Sequence, residues 1–187
     1  NSKSTNDDKC HNVGDFLARE SDPNDYGRYS CNSNELLVRE VLQRMKEDNP
    51  NPKFIIYCGD TVALWLMDYD ISKDGNDTVN KELYFKSIER VSELFYEYFP
   101  DTDILMNIGD NDFFEGDEHP VNESKAIQYE HYEKFFWARM FNNKNFKNLQ
   151  KTLNEGMFYE MKIDEFTKII CVNTLLFNHK NPEDYSL

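Results

Sequence analysis

Positive charge is scarce in this chain: 21 Lys and Arg stand against 35 Asp and Glu, a formal net charge of −14. That field repels phosphate backbones and anionic bilayer surfaces, so it argues against nucleic acid as a partner; it also favours solubility and concentrates cations. Long apolar runs are missing too. No segment approaches the roughly 20 apolar residues of a membrane span, so no transmembrane segment is expected. No leader peptide is visible, because the chain opens on polar NSKSTNDDK, although a mature or trimmed chain reads the same way. The four cysteines, Cys10, Cys31, Cys58 and Cys171, contain no Cys-x-x-Cys pair, which argues against a zinc knuckle or a thioredoxin-type site. Beyond one doubled helix-strand unit there are no internal repeats, and beyond an Asn/Asp bias there is no low-complexity stretch.

What is present suits one folded domain. With 187 residues, 39% apolar and 14% aromatic, the chain is long enough to bury a core. Residues 1–32 have few apolar positions and read as an irregular segment, and 33–187 read as an α/β core. Cys10 and Cys31 flank a polar stretch of low core-forming power, where a bridge would stabilise by roughly 3 kcal/mol through loop closure. Cys58 and Cys171 lie inside apolar strands, where a cysteine usually acts as a small buried hydrophobe. Two N-x-S/T acceptors, at Asn76 and Asn122, fall in polar, loop-like sequence open to glycosylation. Together these features favour a secreted or lumenal setting.

The chain is organised around two strand tips. FIIYCGD at 54–60 and ILMNIGDND at 104–112 are short, β-branched segments of the kind found in buried parallel strands, and each stops at Gly followed by an acid. Glycine permits a sharp turn and close approach, and the carboxylate beyond it projects from the carboxyl end of the strand. A lone strand-Gly-Asp is also an ordinary way to leave a sheet. Two in one sheet would make a place to hold a cation.

Read in order, Ser33 or Asn34 caps a helix with an apolar stripe of Leu37, Val38, Val41, Leu42 and Met45, ended by Pro50. Strand 54–58 follows, then the apolar insert Val62–Met67, then a polar run. Lys81–Tyr98 is an amphipathic helix through Tyr84, Ile88, Val91, Leu94, Phe95 and Tyr98, and strand 104–108 comes next. Ile127–Met140 reads as an aromatic, buried helix, and Lys147–Leu153 as a short one. Gly156 opens a strand at 157–163, and 168–172 forms another after a turn at Asp164-Glu165.

Taken as an ordered set, YGRYSCNS at 26–33, FIIYCGD, IGDND, MFYEMKI at 157–163 and IICVNT at 169–174 resemble the acid sphingomyelinase-like phosphodiesterases, a branch of the calcineurin-like metallophosphoesterases. The resemblance covers most of the chain. It implies part of an αββα sandwich with mixed sheets flanked by helices, a dinuclear metal centre (two divalent ions, usually zinc) at the carboxyl ends of the strands, a Cys10–Cys31 disulfide and a secreted or lysosomal location. Asp60 matches the acid that bridges both metals, a role that needs a carboxylate rather than an amide. IGDND stands where the family has GNHD, so Asp110 takes the place of the metal-binding Asn, and Asn111 that of the His that steadies the phosphoryl group or protonates the leaving oxygen. Asn111 can donate a hydrogen bond but no proton, and loss of a general acid costs about 100- to 10,000-fold in rate. A one-residue slip would instead align Asn111 with the ligand and Asp112 with the acid, at the expense of the spacing from Gly109.

Other departures point the same way. The substrate-facing family His near position 64 is Leu64 here, and no Asp-x-His precedes Cys10. The downstream metal histidines of the family would lie beyond Leu187, and His11, His119, His131 and His179 match none of them. The resemblance therefore leads to two readings of a single partial domain, 1–187. In one, the chain is a pseudoenzyme kept as a binding or scaffolding module. In the other, it is a metal-dependent phosphodiester or phosphomonoester hydrolase with Asp60 and Asp110 as ligands. On either reading, a further segment or another chain is expected to complete the sheet, because a buried strand left at an open edge invites pairing.

Overall fold

The computed structural model describes residues 26, 33–62, 77–113, 128–137 and 143–177. The Cys10–Cys31 pairing, Leu64 with most of the apolar insert, and both glycosylation acceptors lie outside these residues. The chain divides into two compact units at the junction of Pro50 and Asn51.

In the first unit, helix α1 spans Glu35–Asp48. Asn34 caps it, its side chain accepting the Leu37 N–H at 2.9 Å, and Glu35 in the first turn and Lys46 in the last complement the helix dipole. Glu35–Arg39 at 2.8 Å and Glu40–Arg44 at 3.2 Å pair one turn apart on its surface. Only Leu42 of the expected stripe is fully buried, and Val41 and Met45 are exposed. The covered face is narrower than the periodicity implies.

Among the described residues the second unit holds two small sheets. Strand β1, Phe54–Tyr57, and strand β2, Asp103–Met106, pair in parallel with Ile55 opposite Ile104 and Tyr57 opposite Met106. Parallel neighbours need a crossover, and helix α2, Asp77–Tyr98, lies within it. It begins at Asp77 rather than Lys81. Tyr84, Ile88, Leu94 and Phe95 of its expected stripe are buried. Every residue from Ile104 to Met106 is buried as well, as a strand covered on both faces requires. β1 is less enclosed, with Ile56 58% exposed. Side-chain alternation along the strand carries Cys58 onto the Ile56 face, so Cys58 is an exposed thiol, not the buried hydrophobe expected, whereas Cys171 is buried.

The aromatic segment departs from a plain helix: residues 128–131 are α-helical, and Tyr132–Trp137 continue as a π-helical turn that packs against α2. Helix α3 runs Asn143–Gly156, longer than the Lys147–Leu153 expected. Gly156 closes that helix rather than opening a strand, and its lack of a side chain matters for packing, since a Cβ there would meet Leu176 Cδ1 at 3.0 Å. The left-handed residue that usually ends such a helix is glycine. Here it is Met157, at φ 55, its N–H bonded to the Leu153 carbonyl at 2.9 Å and its side chain buried. Strands β3, Tyr159–Lys162, and β4, Lys168–Cys171, then form an antiparallel hairpin, followed by a 3-10 turn at Thr174–Phe177.

Candidate metal centre at the strand tips

Beyond the last β1 pair the ladder extends by one bond, Asn107 N–H to the Tyr57 carbonyl at 2.8 Å. The two Gly-Asp turns therefore leave the sheet side by side. Gly59 takes φ 86, and a Cβ there would stand 2.2 Å from Gly109 N and 2.4 Å from Asp112 Oδ2. A Cβ on Gly109 would stand 2.3 Å from Asp60 Oδ1 and 2.5 Å from Asp60 N. Backbone meets backbone at these tips, and only glycine allows it at either place.

Asp60 follows with φ 57, a left-handed geometry that costs an L-residue on the order of 1–2 kcal/mol. Its residue is exposed, while Oδ1 accepts the Asn111 N–H at 3.3 Å. Asp110 is also exposed, on the turn that faces it. The amide oxygens Asn107 Oδ1 and Asn111 Oδ1 are buried and take no hydrogen bond from any described residue. A buried acceptor left this way carries a desolvation penalty of about 1–3 kcal/mol. A hard cation would relieve it.

Asp112 behaves differently from its neighbours. It is fully buried, and Oδ2 accepts the N–H groups of Asp60 and Gly109, each at 2.8 Å, while Oδ1 accepts the Thr61 N–H at 2.7 Å. Burial pushes its carboxyl upward, and these backbone donors, with the Thr61 hydroxyl, pull it back. Its main-chain carbonyl is held as well, by the Tyr132 hydroxyl at 2.6 Å and by the Tyr84 hydroxyl. Beneath the site Tyr57 donates to Thr61 Oγ1 at 3.1 Å, and burial raises its phenol well above the ordinary range.

The structure thus brings the Asp60 carboxylate onto the backbone of 109–111 and leaves Asp110 at the open rim. Asn111 contributes an N–H and a free amide oxygen. Asp112 faces inward onto three amides and offers no carboxylate to the rim, which suits it poorly to deliver a proton. Oxygen donors of this type fit a hard or borderline divalent cation. Among the described residues no group of three His, Cys, Asp or Glu converges. His131 stacks on Phe85 with ring centroids 3.7 Å apart and is not part of the strand-tip turns. Sequence reasoning missed the clamp at Asp112 and the two hydroxyls behind it, because periodicity assigns Tyr84 and Tyr132 to apolar faces without saying where a phenol ends.

No protein-family model matches the chain. A sphingomyelinase phosphodiesterase D of Dictyostelium discoideum is 32% identical over 162 residues, which cover 86% of this chain and 32% of that protein. An acid sphingomyelinase-like phosphodiesterase 3b of Homo sapiens is 27% identical over 177 residues, covering 92% and 34%. A cyclic GMP-AMP phosphodiesterase SMPDL3A of Bos taurus is 25% identical over 167 residues, covering 88% and 33%. The chain spans about a third of the length of these curated relatives.

Proposed function

This chain is a distant homologue, over most of its length, of acid sphingomyelinase-like phosphodiesterases, and from that premise we propose that it contributes a divalent-cation and phosphoester-binding element of a metallophosphoesterase-type domain whose hydrolytic power is impaired. One observation carries this reading. The two Gly-Asp tips lie side by side on parallel strands, with Asp60 exposed against the Asn111 N–H, yet the residue standing for the family's proton donor is an amide.

Asp60 and Asp110 would hold the ions, zinc by preference, with the Asn111 amide oxygen as a neutral partner. When bound, such ions polarise a phosphoryl oxygen and activate water. Asp60 supplies the anionic charge, and the glycines at 59 and 109 let the backbone come close. Asn111 can orient a phosphoryl oxygen through hydrogen bonding but has no proton to give to a leaving alkoxide, so binding outlasts turnover. Relatives three times as long as this chain leave room for further strands. Ile56, Ile170 and Val172, at 58%, 67% and 50% exposure, are apolar positions that such strands, or another chain, would cover. A secreted or lumenal location with glycans on Asn76 and Asn122 accords with this reading.

The alternative, a competent phosphodiester or phosphomonoester hydrolase, draws support from the left-handed Asp60, since strained backbone tends to be retained at working sites. Hydrolysis of bis(p-nitrophenyl) phosphate by the wild-type protein and by Asn111→His separates the two. Impairment predicts slow wild-type turnover and a gain of about 100-fold or more in the variant, the scale of a restored general acid. Brisk wild-type turnover with no gain in Asn111→His would support the competent enzyme instead.

A further inference from the structure

We infer that Asp112 is the positioning residue of the strand-tip site: its buried carboxylate fixes the left-handed turn that presents Asp60, and it takes no direct part in proton transfer. The inference deepens the reading above and rests on it for the purpose the presented carboxylate serves.

Three observations converge. The Asp112 carboxylate spans both tips, gripping Asp60 and Thr61 on the β1 side and Gly109 on the β2 side with bonds of 2.7–2.8 Å. Asp60, which follows Gly59 at φ 86, has φ 57, and a residue so placed persists only where its surroundings over-determine it. The N–H of Asp60 itself, the group whose direction φ sets, is one of those Asp112 holds. The clamp is in turn held from behind, because the hydroxyls of Tyr84 and Tyr132, from two separate helical segments, both end on the Asp112 carbonyl.

The chemistry calls for a carboxylate in this place. Two oxygens must accept from three N–H groups, and an amide at this position would turn one oxygen into a donor facing donors. Asn111, one residue earlier, shows the contrast: its own amide oxygen goes unpartnered among the described residues, and its N–H points to Asp60. The turn therefore assigns ligand-facing and frame-holding roles to successive side chains. A site whose ligating carboxylate depends on a rigid second carboxylate behind it is pre-organised rather than assembled on binding.

The test is made by NMR on the full 187-residue chain. In the wild type, scalar couplings across hydrogen bonds should connect the Asp112 carboxylate carbon with the amide nitrogens of Asp60, Thr61 and Gly109. In Asp112→Asn, the three-bond amide coupling of Asp60 should leave its left-handed value, and exchange at the three amides should rise on the order of tenfold or more, the scale of a lost buried acceptor. Leu105 and Ile88 amides report whether the core stays folded. Zinc added to the wild type should perturb Asp60 and Asp110, and that perturbation should weaken in the variant. Absence of the cross-bond couplings in the wild type overturns the inference whether or not the variant folds. So does a folded variant with an unchanged Asp60 coupling. Intact couplings and a shifted Asp60 in the variant, with no zinc response in the wild type, would uphold the clamp and overturn the metal reading instead.

Discussion

Tyr159 of β3 donates its hydroxyl to the main-chain carbonyl of Met106 in β2 at 2.7 Å, a bond that runs between the two sheets. Met106 and its partner Tyr57 are the last pair of the parallel ladder, so this carbonyl lies one residue from Asn107 and three from Gly109. Burial raises the Tyr159 phenol far above its ordinary range, which keeps it a donor at every working pH.

Tyr159→Phe leaves the Met106 carbonyl buried without that donor. The expected cost is about 1–3 kcal/mol, read as a lower urea midpoint with an unchanged slope. A loss well under that range would mean the two sheets are held together by packing alone.

Tyr84 and Tyr132 share one acceptor, the Asp112 carbonyl. Either Phe variant leaves the other hydroxyl in place, so each single loss should be about 1 kcal/mol. The double variant strips the carbonyl of both, and its cost should exceed the sum of the singles by roughly 0.5 kcal/mol or more. Strict additivity in a double-mutant cycle would deny the shared acceptor.

Much of this was legible in advance, for reasons particular residues make plain. Tyr84, Ile88 and Leu94 recur at helical spacing, and the run 104–106 is apolar on both faces, so burial dictated the pattern. The adjacency of the two Gly-Asp tips followed from their repeated helix-strand order. Asp112 was less readable. Nothing in IGDND distinguishes a carboxylate that faces a ligand from one that faces three amides, since both are a single residue past a turn. Met157 misled because it takes the left-handed geometry with its side chain buried, where local preference would call for glycine. Cys58 misled because an apolar strand with one open face hides only every second residue.

Lys53 and Asp164 pair across 111 residues of sequence. The Lys53 ammonium, then the Phe166 N–H and the Thr167 side chain, hold the Asp164 carboxyl well below the usual range. Because the folded value is depressed, the pair's contribution is present above the ordinary carboxyl value of about 4 and is lost as the pH falls toward the folded value. Both side chains are substantially exposed, so the effect should be small and salt-sensitive. Urea midpoints measured between about pH 5 and pH 2 should fall less steeply for Asp164→Asn than for the wild type. Parallel curves would show the pair to be inert.

Gly109→Ala places a methyl 2.3 Å from Asp60 Oδ1 and 2.5 Å from its backbone nitrogen. Backbone cannot yield as a side-chain tip can, so the overpacking should cost about 1–3 kcal/mol, seen as a lower thermal midpoint. The same methyl occupies the space against the Asp60 carboxylate, so zinc affinity should fall along with stability. A stable variant with full affinity would show that the tips are looser than their contacts imply.

The most direct measurement is the metal content of the protein isolated from its source, wild type beside Asp60→Asn, by elemental analysis. Divalent metal, zinc foremost, is expected to be bound to the wild type and largely lost from the variant while the fold persists. A folded wild type free of divalent metal, or an Asp60→Asn protein that keeps its full complement, would contradict it.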